Sequence, residues 1–98
     1  MSRILQLSRA AQRDIDKAFV FYERQQPGLG DGFVEAVDRC LERIKQFPES
    51  FAIIKKNLRL AMVSRFSYLV VYRITENHIR VSAVVHGSRH PRNWKDQG

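Results

Sequence analysis

The stretch that decides the fold is "SYLVVYRITENHIRVSAVVH", Ser67–His86. Tyr68, Val70, Tyr72 and Ile74 alternate with Leu69, Val71 and Arg73. Ile79, Val81, Ala83 and Val85 then alternate with Arg80, Ser82, Val84 and His86. A period of two, rich in β-branched and aromatic residues, is the signature of strands. "TENH", Thr75–His78, lies between the two runs and predicts a hairpin turn. Upstream, Leu58, Leu60 and Met62 alternate with Arg59, Ala61 and Val63, and "SRFS" (Ser64–Ser67) is the link. Links this short allow only antiparallel neighbours, so the second half predicts a three-stranded meander.

The first half has a different period. "RILQL", Arg3–Leu7, reads as a short strand, and Ser8 is the expected N-cap of a helix directly after it. Ala11, Ile15, Ala18 or Phe19, and Tyr22 recur at helical spacing up to about Arg24. "QQPGLG" interrupts the pattern at Pro27 and Gly28. Phe33, Val37, Cys40, Leu41, Ile44 and Phe47 mark a second helix that Pro48 ends. Two amphipathic helices joined by a short turn need a sheet on which to bury their stripes. The expectation is an α+β fold in the order β-α-α-β-β-β, a helical hairpin packed on a small antiparallel sheet. All 98 residues form one domain, residues 1–98.

Apolar content of 44% and charged content of 28% suit a folded chain. Cys40 is the only cysteine, so no internal disulfide exists. Its place on the apolar side of a helix predicts a buried, inert thiol. No apolar run approaches membrane-spanning length, and "MSRILQLSRAA" lacks the apolar core of a signal peptide. A cytoplasmic protein without membrane association is expected.

Charge separates the two halves. Residues 1–49 hold eight Lys/Arg against eight Asp/Glu. Residues 50–98 hold nine Lys/Arg against Glu76 and Asp96 alone. The whole net charge of +7 therefore sits in the second half. Solubility would not require such segregation. A negatively charged partner would: an acidic protein, or nucleic acid.

The chemistry-bearing residues gather in "VVHGSRHPRNW", Val84–Trp94. Cleaving RNA through its 2′-hydroxyl needs a base, an acid and cations on the phosphate. His86 or His90 could exchange protons, and Arg59, Arg65 and Arg89 could hold the phosphate. His86, Arg89, Arg92 and Trp94 equally form the aromatic–arginine cluster of a protein interface. Plainer readings stand beside both. His86 could finish a sheet edge, Trp94 could cover the core, and Lys55 and Lys56 could discourage edge pairing. His78, His86 and His90 lack the spacing of a zinc site, and neither metal nor cofactor is expected.

"DIDKAFVFYERQQPGLGDGFVEAVDRCLERIKQFP" (Asp14–Pro48), "YLVVYRI" (Tyr68–Ile74) and "VVHGSRHPRNW" together resemble the RelE/ParE superfamily of type II toxin–antitoxin toxins. The resemblance implies a helical hairpin on a small sheet and a growth-arresting toxin held by an acidic cognate antitoxin in a hetero-oligomer. It places the antitoxin in a groove between hairpin and sheet, against Leu58, Leu60 and Arg65. RelE-like members cut mRNA on the ribosome with Lys/Arg on the sheet and a tyrosine in the C-terminal segment. Here Tyr22, Tyr68 and Tyr72 all lie earlier. The Pro-Gly-Leu-Gly turn and the His-Gly-x-Arg-x-Pro-x-x-Trp ending favour the ParE-like branch, which binds DNA gyrase and has no hydrolytic site. The alternatives are a metal-independent, ribosome-dependent endoribonuclease and a non-toxic basic nucleic-acid-binding module.

Overall fold

The computed structural model describes residues 3–89. Strand β1 (Ile4–Leu7) leads into helices α1 (Arg9–Gln25) and α2 (Leu29–Gln46). A 3₁₀ turn (Pro48–Ser50) precedes β2 (Ile53–Lys55), β3 (Leu58–Val63), β4 (Tyr68–Ile74) and β5 (His78–His86), and a last 3₁₀ turn covers Gly87–Arg89. The five strands form one sheet in the order β1-β5-β4-β3-β2.

The α+β layout and the β3-β4-β5 meander are as the alternation predicts. Two features differ. β1 pairs with β5 in parallel, Ile4 opposite His78 and Leu7 opposite Val81, so the sheet is mixed rather than antiparallel. Tight links fix direction only between consecutive strands, and β1 and β5 are joined by the helical hairpin and the meander. β2 is an additional strand of three residues, with an irregular register against β3. It is too short to show a period, and Lys56 turns it into β3 at φ 51. Lys55, which the sequence places only as leading into a strand, stands on β2, the edge strand of the sheet.

Ser8 stitches the two halves together. Its hydroxyl caps α1 by accepting from the Ala11 N–H at 2.9 Å, and it donates to the Ser82 carbonyl at 3.1 Å. The hairpin between α1 and α2 is built around Glu23, whose carboxylate accepts from the backbone N–H groups of Gly28 and Gly30, both at 2.9 Å. Gly28 sits at φ 91, which favours glycine. At Gly30 an added Cβ would lie 2.8 Å from the Phe19 carbonyl oxygen, so the helices close to a distance only glycine allows.

The core lies between the helices and one face of the sheet. Ala11, Ile15 and Ala18 of α1 and Phe33, Ala36, Val37, Cys40 and Ile44 of α2 meet Ala61, Val63, Val70, Tyr72, Ile79, Val81 and Val84. Cys40 is buried as predicted, and burial pushes its thiol pKa up. Tyr72 is fully enclosed and satisfies its hydroxyl by donating to the Pro48 carbonyl at 2.6 Å.

A bulge corrects the simple alternation of β5. Val71 stands opposite Ala83 but Tyr72 opposite Val81, leaving Ser82 as the extra residue. The Ser82 hydroxyl donates to the Val71 carbonyl at 3.3 Å. Beyond the bulge the inward residues are Val84 and His86, not Ala83 and Val85. The arginines are divided between the faces too. Arg59 and His86 oppose the inward residues Tyr72 and Tyr68, whereas Arg73 and Arg80 oppose each other on the outer face.

Candidate functional site

The candidate residues fall into three places. Arg59 lies at one end of the helix-facing side. Its guanidinium donates to the carbonyls of Glu49 (3.0 Å) and Phe51 (2.7 Å), so it holds the loop after α2. His86 lies at the other end. Their partners Tyr72 and Tyr68 are four residues apart on β4, about 14 Å at strand rise. Arg59 and His86 therefore cannot grip one phosphate.

Arg65 does share the His86 end of the sheet. It occupies the β3–β4 turn at φ 77, with its guanidinium carbon 5.9 Å from the centre of the Phe66 ring. The Gly87 N–H donates to the Ser67 carbonyl, which ties the end of β5 to the same turn. Arg89 is the last residue of the Gly87–Arg89 turn. Arg92 and Trp94, with His90, lie outside the described residues.

Beneath this end sits an aromatic cluster: Tyr22, Phe33 and Tyr68 lie on the expected periods, but Phe66 of the β3–β4 turn does not, and no period shows that the four meet. Tyr22, Phe33, Phe66 and Tyr68 stack edge-on or tilted, with ring centres 4.9 to 6.1 Å apart. His86 caps it, its ring 5.3 Å from Tyr68 and perpendicular to it. Burial raises the Tyr68 phenol pKa, with Tyr22 and Asp14 adding to the shift. His86 Nδ1 lies 3.0 Å from the Ser88 hydroxyl and accepts from the Ser88 N–H at 3.1 Å. Beside His86 is a recess of about 270 Å³ lined by Asp14, Lys17, Phe21 and Val84 among others. Asp14 already has a task there, accepting from the Val84 N–H at 2.9 Å. No period or motif marks an aspartate for such a role.

The outer face of the sheet is a second surface. It carries Leu58, Leu60 and Met62 of β3, Leu69 and Val71 of β4, and Ala83 and Val85 of β5. Met62 is 67% exposed, while Leu58, Leu60, Leu69 and Val85 are half-buried. The structure thus corrects the expected position of Leu58 and Leu60: they face away from the helical hairpin. The space between hairpin and sheet is filled by the core. Two further exposed apolar residues, Ile4 and Phe47, line separate recesses that share Arg3, Glu42 and Lys45.

Among the described residues no group of three or more His, Cys, Asp or Glu is placed to hold a metal ion. Nor is any helix there long and apolar enough to cross a membrane.

A helical hairpin laid on a five-stranded mixed sheet, with its basic excess in the sheet half, defines a RelE/ParE-like toxin fold. Solved structures share it. The chromosomal ParDE toxin–antitoxin system of P. aeruginosa superposes with a TM-score of 0.66 at 16% identity, covering 86% of this chain and 95% of that one. The toxin–antitoxin complex RelBE2 of Mycobacterium tuberculosis gives 0.62 at 16% identity, covering 88% and 99%. Sequence narrows the assignment. Residues 5–91 match the model of the ParE toxin of the type II toxin–antitoxin system parDE. The chain is also 34% identical over 92 residues to Toxin ParE2 of M. tuberculosis, covering 93% of this chain and 88% of that protein. The chain belongs to the ParE toxin family of type II toxin–antitoxin systems.

Proposed function

We propose that this ParE-family toxin arrests growth by binding DNA gyrase, not by cutting RNA. The observation that carries this reading is the outer sheet face. A surface that cleaves phosphodiesters needs cations and a proton-transfer pair around the scissile group. This face presents Leu60, Met62, Leu69 and Val85 across its middle. A half-buried apolar strip with Met62 exposed, on a small basic protein, suits a protein partner. The distance of Arg59 from His86 supports the same choice. His86 and Arg89 at the end of β5 are proposed as further target contacts next to this face, and Arg92 and Trp94 follow them in the sequence.

The regulating partner is an acidic antitoxin, assembled with the toxin as a hetero-oligomer in the cytoplasm. Relatives of this fold from P. aeruginosa and M. tuberculosis were solved as toxin–antitoxin systems. Leu58 and Leu60 on the outer face and Arg65 at the turn are its proposed contacts. The charge of the second half favours an acidic chain.

The test is to add the purified protein to gyrase and relaxed plasmid, and in parallel to a translating extract. Loss of supercoiling with accumulated DNA breaks, while mRNA stays intact, supports the proposal. Rapid cleavage of translated mRNA with unaffected gyrase sinks it and assigns the chain to the RelE-like activity.

A further inference from the structure

The outer face has a polar end that the gyrase reading leaves unused. Arg73 of β4 and Arg80 of β5 stand directly opposite each other, and Gln6 of β1 is opposite Arg80. Both arginines are exposed. Like charges directly opposed on a sheet are destabilising, so the pair demands a reason. Among the described residues neither guanidinium has a carboxylate partner; the one ion pair there is Lys45–Glu42 on α2. The nearest acid in sequence, Glu76, is in the β4–β5 turn. Arg73 and Arg80 line an open cleft of about 610 Å³ with Gln6, Leu7, Ser8, Val81 and Ser82. Its side chains include no carboxylate. The Ser8 and Ser82 hydroxyls already donate to backbone carbonyls, leaving the two guanidiniums and the Gln6 amide as donors.

We propose that this cleft is a phosphate-binding site, and that it takes the backbone of a nucleic acid. One arginine fork saturates the two oxygens of a carboxylate. Two forks side by side suit a group with more oxygens, such as a phosphate. The cleft is open and lies across adjacent strands, so it fits a passing polymer better than an enclosed nucleotide. The site binds and does not cut: His78, one row nearer the turn, is not among its lining residues. It is separate from the His86 end and independent of which target the toxin poisons.

The test is fluorescence anisotropy of the full chain with a labelled duplex of about 20 base pairs and a labelled single-stranded RNA, across a salt series. The variants are Arg73→Gln/Arg80→Gln and, to separate charge from fork, Arg73→Lys/Arg80→Lys. For the duplex, neutralising two phosphate contacts should lower the slope of log affinity against log salt by about 2. The lysine pair should keep the slope and bind more weakly. Thermal melting should show the glutamine pair as stable as the parent or more so, because a repulsion is removed. Inorganic phosphate at matched ionic strength separates the two sources of the group. Displacement of the duplex at millimolar phosphate assigns a small phosphate ligand and overturns the polymer; failure to displace supports the polymer. An unchanged salt slope in the glutamine pair would overturn the proposal. So would poly-glutamate binding with the same dependence on both arginines, which would make the cleft a dock for an acidic peptide.

Discussion

The two faces of this sheet are made by the same strands and do opposite things. On the helix side, polar groups that face inward are satisfied. Tyr72 donates to Pro48, Arg59 donates to Glu49 and Phe51, and Asp14 accepts from Val84. The outer side carries an exposed methionine and two arginines opposed without an acid among the described residues. The contrast separates stability from function. A residue that is satisfied within the fold has little left to offer a partner, and one left unsatisfied is free to meet one.

The sharpest way to break this comparison is to cut into the helix side. Phe33→Ala removes a ring buried between α2 and the sheet, and should cost about 3–5 kcal/mol. Toxicity and thermal stability should disappear together; a toxic but unstable variant would refute the separation. Tyr72→Phe is the next largest. It strands the Pro48 carbonyl and should cost about 1–3 kcal/mol in a urea titration. It also changes the response to base. Burial pushes the Tyr72 phenol from 10.0 up to about 12, the Arg59 charge opposing part of the rise. The folded protein thus holds this proton more tightly than the unfolded chain. Stability from this group is complete below about pH 10 and declines as the pH rises towards about 12. The phenylalanine variant should lack that part of the decline.

Ser8→Ala should cost about 1 kcal/mol, since it removes both the cap on α1 and the link to Ser82. Hydrogen exchange should locate the loss at the first turn of α1. The smallest effect on stability belongs to the outer face. Met62→Lys should leave unfolding within about 0.5 kcal/mol of the parent and yet reduce gyrase inhibition. If Met62→Lys remains fully inhibitory, the outer strip is not the binding surface and the comparison loses its functional half.

Much of the architecture could be read from the sequence because it is written in periods. The helical spacing of Ala11, Ile15 and Ala18 and the alternation of β3 and β4 both depend on which side must be buried. Ser8 was legible as a cap because the residue type and its position before a periodic run agree. What was not legible depends on partners distant in the chain. The parallel docking of β1 beside β5 has no local signal. The Ser82 bulge is hidden because Val84 and Val85 are equally apolar, so either can be the inward one. The candidate site was hardest to read for the same reason. Arg59 and His86 look equivalent in an alternating string, yet one ends up holding a loop and the other capping an aromatic cluster. Arg73 and Arg80 look like isolated surface charges until the register sets them side by side.

The parallel pairing of β1 with β5 also sets the order in which the molecule can come into being. Ile4 finds its partner only when His78 exists. The 74 residues that separate them take about 4–15 s to synthesise at ordinary translation rates. Until then the first strand and α1 lack the β5 edge against which they close, although α2 already has β3. The chain therefore leaves most of its synthesis behind before it can become a complete fold, and that interval is set by where one short strand sits in the sequence.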